Sequence, residues 1–347
     1  MRRPERLAAG LLLSAILAGP AAAAGPTPST LAAPFTLIDK IALPAPPGHG
    51  DLVRYDPSNG DAYVSLSAGA AVVDTRTGKV VHDYRSIAAP NGMAFGTRYV
   101  YWTDAGGPGK TNQIVVISKQ SWKIVGRVDT VGTSPDGIWV DPGTHQLFVG
   151  MDDNNWVDRY RTGARPTFEA KIPLAPAHPK AGPDIGVLVP AKATLYMPDD
   201  AMEEAISTKT GKITRAVHLP IPSGRHGGAK GQIYDARTNQ LWVGTTGHAV
   251  LVLNADTLAV IRRLPAKGGI DQVAWDPRLG LVYTFEGGAK GFDVYDAATL
   301  RPMGFVSTGV GATHTGAADP ATHNVYAYAG EAGALYVYRP SDPTPGG

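Results

Sequence analysis

The sequence predicts an all-β fold: a seven-bladed β-propeller whose last blade is completed by the N-terminal strand. Three observations carry this. A hairpin-like stretch recurs seven times. The recurrences are spaced by about 42 residues, the length of one four-stranded blade. The last recurrence ends one strand short, while a strand-like segment precedes the first. Composition agrees. Of 347 residues, 43% are hydrophobic and only 18% charged, with 42 Gly and 29 Pro, which suits a turn-rich packed core rather than a disordered chain.

The chain opens on "MRRPERLAAGLLLSAILAGPAAAA". Arg2, Arg3 and Arg6, a short apolar run and small residues around Ala23 and Ala24 make residues 1–24 a secretory signal peptide, too short for a comfortable membrane span. Residues 25–34 read as a linker, 35–340 as the propeller and 341–347 as a tail. The expected location is periplasmic or secreted, with no membrane insertion of the mature chain. The absence of Cys leaves no disulfide and no lipid anchor at a cysteine. Without the leader, 29 basic residues balance 29 acidic ones, which argues against nucleic acid or an anionic membrane as partner. The closed ring is expected to be a monomer.

The seven copies are "HGDLVRYDPSNGDAYVSLS" from His49, "NGMAFGTRYVYWTDAG" from Asn91, "PDGIWVDPGTHQLFVGMDD" from Pro135, "DIGVLVPAKATLYMPDD" from Asp184, "KGQIYDARTNQLWVGTT" from Lys230, "DQVAWDPRLGLVYTFEG" from Asp271 and "HTGAADPATHNVYAYAG" from His314. The turn aspartate serves as a ruler: Asp235 to Asp276 is 41 residues and Asp276 to Asp319 is 43. Each copy supplies a small apolar inner strand, a polar turn and a β-rich second strand. A third strand follows ("AAVVD", "IVVIS", "VLVLN", "FDVYD", "LYVYR"), then an outer strand such as "VVHDY". The seventh copy stops after its third strand, and "FTLIDKIALP", residues 35–44, has outer-strand character. Placed there, it closes the ring and removes an open sheet edge. Blade 4 departs from the pattern. "LYMPDDAMEEAISTKTGK" reads as an acidic, helix-tolerant stretch in place of the third strand, with Asp199, Asp200, Glu203 and Glu204 expected to face the funnel.

The second-strand copies "AYVSLS", "LFVGMD" and "VYTFEG", with third strands leading into "VVDTRTGKVV" and "VYDAATLRPM", resemble the YVTN-repeat (YncE-like) bacterial β-propellers. The resemblance covers residues 35 to 340. It implies a secreted or periplasmic seven-bladed propeller and no single shared activity.

Counting back five from each turn aspartate, or its equivalent, gives Asp51, Asn91, Asp136, Ile185 (with Asp184 beside it), Lys230, Asp271 and His314. In a propeller these begin the innermost strands, so their side chains ring one mouth of the channel. The loops between second and third strands open on the same face and carry Asp104, Asp152, Asp153, Asp199, Asp200, His248, Glu286 and Glu331. Basic exceptions are His49, Lys230, His314 and Arg225-His226. Crowded carboxylates repel one another, and a cation or a proton relieves them. The competing structural reading is that short polar residues ahead of a strand cap turns through their side-chain oxygens.

Two chemistries fit this mouth. One is a ligand-binding site at Asp51, Asn91, Asp136, Asp184, Lys230, Asp271 and His314, taking a small molecule, a peptide or a partner protein at the funnel face without catalysis. The other is a metal-dependent hydrolase or lactonase. Its divalent cation, calcium or zinc, would be held by Asp51, Asn91, Asp136 and Asp271, with Asp136 or His314 as general base. "PNGMAF" and "PDGIWVD" are similar to the ligand-bearing segments of the six-bladed gluconolactonase family, although the Glu ligand which that resemblance implies has no clear counterpart. No G-x-S-x-G elbow is present. A third class, a rigid platform binding through the blade sides, leaves no mark in the sequence.

Overall fold

The computed structural model describes residues 34–106, 111–175, 182–223 and 228–341. The leader, most of the linker, Arg225-His226 and the tail beyond Ser341 lie outside the described residues. Seven four-stranded antiparallel sheets follow one another around a ring, each running from an inner to an outer strand. Blades 1 to 6 span residues 53–84, 90–129, 135–173, 187–218, 229–265 and 272–307. Blade 7 takes residues 316–340 and, as its outer strand, Phe35–Ala42.

The closing strand pairs antiparallel with Ala334–Pro340, from Phe35 opposite Pro340 to Ala42 opposite Ala334, with one irregularity between Leu37 and Asp39. Ser341 N donates to the Pro34 carbonyl at 2.7 Å, extending the ladder by one bond. Ile41 and Leu43 enter the apolar cluster between blades 7 and 1, beside Val64, Val73 and Leu335. One such cluster fills each seam of the ring. The middle strands are sandwiched on both faces, so Asp61–Ser65 and Leu281–Glu286 are buried along their whole length. Outer strands such as Lys79–Tyr84 alternate between exposed and covered positions, as a sheet with one wet edge requires.

The turn aspartates have a structural task. The side chains of Asp56, Asp141, Asp235, Asp276 and Asp319 each accept the backbone N–H two residues on, at 2.8–2.9 Å. This repeated Asx turn fixes the first hairpin of each of these blades.

Blade 4 corrects the sequence reading. Met202–Ser207 is a regular third strand, paired on one side with Thr194–Asp199 and on the other with Ile213–His218. Strand geometry puts Glu203 and Glu204 on opposite faces. Glu203 meets Gln232 of blade 5, whose Nε2 donates at 3.3 Å, and Glu204 accepts the Ala175 N–H from the blade 3 side at 2.7 Å. All four acids of the stretch are buried within the wall and line neither the channel nor a helix.

Candidate functional site

The inner strands converge at one mouth of the channel. Asn91, Asp136 and Lys230 are the second residues of Pro90–Phe95, Pro135–Asp141 and Ala229–Asp235. Asp271, Asp51, Asp184 and His314 lie one to three residues ahead of their strands. The glycine after several of these positions explains how closely the strands approach. A Cβ on Gly92 would stand 2.5 Å from the Asp136 carbonyl oxygen, and one on Gly231 would stand 2.8 Å from that of Asp271. Gly231 N donates to the Asp271 carbonyl at 2.8 Å, Thr103 Oγ1 to that of Asp136 at 2.8 Å, and Asn91 Nδ2 to that of Pro135 at 3.1 Å. Neighbouring inner strands are thus in direct contact around a narrow axis.

Asp51, Asn91, Asp136, Asp184, Lys230 and Asp271 line one cavity of about 200 Å³. They reach it from blades 1 to 6. Ser134, Asp152 and Gln272 complete the lining. Asp152 was among the expected loop acids. Ser134 and Gln272 were missed, and their only signal was adjacency to Asp136 and Asp271. His314, from blade 7, is set back from the cavity. Its ring is 4% exposed, stacks on His49 with centroids 3.9 Å apart, and approaches the Ala312 carbonyl through Nδ1 at 3.2 Å and Asp271 Oδ2 through Nε2 at 3.8 Å.

Among the described residues, the cavity lining carries five carboxyls and one ammonium. Lys230 Nζ donates to Asp184 Oδ2 at 2.7 Å, and that contact is the main reason its pKa is raised. Burial pushes Asp51 up to about 8, helped by the charges of Asp271 and Asp184 and opposed by Lys230. Burial, then Asp51 and Asp184, pushes Asp136 well above the usual carboxylate range. Asp271 rises to about 6 through burial and Asp184, opposed by Lys230 and His49. Its side chain is 36% exposed to the channel, so water there moderates the effect. His49 and His314 are held below the usual imidazole value, chiefly by burial.

Among the described residues, no backbone N–H caps the carboxyls of Asp51, Asp136 or Asp271. Capping falls instead to acids that were expected on the rim. Asp104 accepts the N–H groups of Ala88 and Ala89 at 3.1 and 2.9 Å, Glu286 that of Gly268 at 2.5 Å, and Glu331 that of Gly311 at 3.1 Å. Each grips the loop two to three residues ahead of a channel position in its own blade. The rim is therefore less acidic than the sequence suggests, and much of its acid content positions the cup. Also among the described residues, no three His, Cys, Asp or Glu side chains are gathered closely enough to hold a metal ion.

Fold and site define the class: a seven-bladed β-propeller with an acid-rich polar cup at one end of its channel. No family model matches the chain, and no curated protein matches its sequence. Solved structures similar to it include the β-propeller domain of Cps50 (Swd1) from Myceliophteria thermophila (12% identity, 88% of this chain and 99% of that one, TM-score 0.71). Hydrazine synthase from Kuenenia stuttgartiensis matches at 16% identity over 86% of this chain and 97% of that one, TM-score 0.69. A chain of the mitotic checkpoint complex matches at 12% identity over 96% of this chain and 99% of that one, TM-score 0.73. At these identities the likeness is one of fold. Among the described residues no helix is long and apolar enough to cross a membrane.

Proposed function

We propose that the protein is an exported binding propeller of YVTN-repeat type, whose channel cup takes a cationic group without chemistry of its own. The group is the amine of a small molecule or the basic side chain of a peptide or protein partner. The observation that carries this reading is the convergence, among the described residues, of Asp51, Asp136, Asp184 and Asp271 on the single ammonium of Lys230 in a cavity of about 200 Å³. A cation entering it offsets the burial and the lesser mutual repulsion that raise Asp51 and Asp136, and so favours their deprotonation. Binding therefore releases protons and strengthens as pH rises through 6 to 8, the interval set by Asp271 and Asp51.

Calorimetric titration with putrescine at pH 6 and pH 8.5, in buffers of differing ionisation enthalpy, tests this. Tighter binding at pH 8.5, proton release at intermediate pH and at least tenfold weakening by Asp136→Asn are expected. No saturable binding at either pH would overturn the reading. Stoichiometric calcium or zinc in protein purified without chelator would replace it with the metal-dependent hydrolase.

A further inference from the structure

On the opposite face of the ring, at the seam between blades 2 and 3, lies a second and larger cavity of about 450 Å³. One wall is the first hairpin turn of blade 2, Phe95 to Tyr99, with Tyr101 behind it. The other is the equivalent turn of blade 3, including Val140 and His145. Volume and mixed lining fall in the range of small-molecule sites.

The reason for the opening is visible in the repeat. At four other seams the turn aspartate of one blade meets a polar side chain of the next. Lys119 Nζ donates to Asp56 at 2.7 Å, and His323 Nδ1 stands 2.8 Å from Asp276. The Thr208 hydroxyl faces Asp141, and the Tyr55 hydroxyl faces Asp319. Blade 4, which lacks the aspartate, ties Lys192 to Asp256 of blade 5 at 2.6 Å. Blade 2 also lacks it. Its turn "GTRY" is two residues shorter than "DPSNGD" or "DPGTHQ" and carries Gly96 in place of the acid. Gly96 N closes the shortened turn on the Tyr99 carbonyl at 2.9 Å. No side chain then reaches across the seam from that position, and the cavity is the result. Arg98, in the same turn, lines it and has no carboxylate partner among the described residues. The one carboxyl among the described lining residues, Asp141, already accepts the Gly143 N–H at 2.9 Å.

We propose that this seam binds a small organic anion, a carboxylate on an aromatic or apolar body. The carboxylate takes the place of the missing turn aspartate beside Arg98, and the body lies against Phe95, Tyr99 and Tyr101. Arg98 supplies the charge-assisted hydrogen bonds a carboxylate needs, with His145 across the cleft. The aromatic walls favour a flat apolar partner.

The test is titration of the full mature protein with phenylacetate, followed by ligand-observed NMR and calorimetry, with 2-phenylethanol as the uncharged control. The expected result is saturable binding with a Kd of about 1 mM or tighter, the range open to a ligand of this size, and at least fivefold weaker binding of the alcohol. Arg98→Gln should reduce phenylacetate affinity at least fivefold and leave the alcohol unchanged. Gly96→Asp restores the intramolecular carboxylate. Gly96 does not occupy the left-handed region, so the backbone accepts a side chain, although its Cβ would lie 3.3 Å from Tyr101 and the chain must shift slightly. That variant should fold and lose phenylacetate binding. No phenylacetate binding by the wild-type protein, equal binding of the alcohol, or full binding by folded Gly96→Asp would each overturn the proposal. Putrescine binding at the channel cup, measured alongside, should be unaffected by Gly96→Asp.

Discussion

Replacing Glu203 with Gln should stabilise the protein, and far more at neutral and alkaline pH than at pH 5. Glu203 is 0% exposed, takes one long bond from Gln232, and leaves Oε2 without a partner among the described residues. Burial, reinforced by the nearby Glu204 and partly offset by Gln232, raises its pKa from 4.5 to about 8. The folded chain therefore keeps a proton that the unfolded chain surrenders above pH 4.5. Stability falls as pH climbs from 4.5 toward 8 and levels off beyond it, at about 1.4 kcal/mol for each pH unit. Integrated to pH 7, the cost is at most about 3 kcal/mol, and coupling to Glu204 with local relaxation brings the expected range to about 1–3 kcal/mol. Gln keeps the shape and removes the ionisation, so Glu203→Gln should recover that amount at pH 7–8 and about 0.8 kcal/mol or less at pH 5. Urea unfolding followed by tryptophan fluorescence at pH 5 and pH 8 measures it, provided the slope is the same for both proteins. An equal gain at both pH values, or none at pH 8, would show that Glu203 is ionised in the fold or is held by a partner the substitution destroys.

Three further outcomes follow from the same geometry. Deleting residues 34–44 should abolish cooperative unfolding, because it strips a whole strand ladder and two core side chains, Ile41 and Leu43, from a fold with only about 5–15 kcal/mol in hand; the milder Ile41→Ala should cost about 2–4 kcal/mol by denaturant titration. Lys230→Met should destabilise at pH 8 by about 1–3 kcal/mol, since Asp184, 13% exposed, loses its ammonium. The loss should shrink at pH 5, where neighbouring carboxyls take up protons; a pH-independent loss would point to packing instead. Asp136→Asn should leave the melting temperature unchanged or raise it at pH 8, because it removes one of several crowded acids, and a clear drop would assign Asp136 a structural role.

The ring was legible because the chain writes the same hairpin seven times, and a truncated last copy beside an unassigned first strand has one economical solution. The cup was legible for the same reason: equivalent positions of equivalent strands must share a radius, so Asp51 and Asp271 could be brought together across 220 residues of sequence. What failed were inferences from charge alone. "DDAMEE" looks like an exposed acidic stretch, yet alternation sends Glu203 and Glu204 into two different seams, where burial pushes their pKa values up to about 8 and about 7. Asp104, Glu286 and Glu331 looked like funnel acids, but whether a loop carboxylate points at the channel or at its own backbone depends on loop geometry that spacing does not encode. His314 was counted as the seventh member of the ring, and its stacking on His49, outside the cavity lining, is visible only in three dimensions.

The latch that closes the ring has a mechanical side. Because Phe35 lies opposite Pro340 and Ser341 reaches back to Pro34, the two ends of the propeller leave the same point of the same sheet edge. Tension applied between the termini would load the outermost hydrogen bond alone and peel the strand away one rung at a time, as a zip opens. Tension on the first strand and a remote blade would instead share the load along the ladder. A ring latched by this strand is thus built to yield at low force along one direction. Anything fused, tethered or threaded at both ends pulls on that direction first.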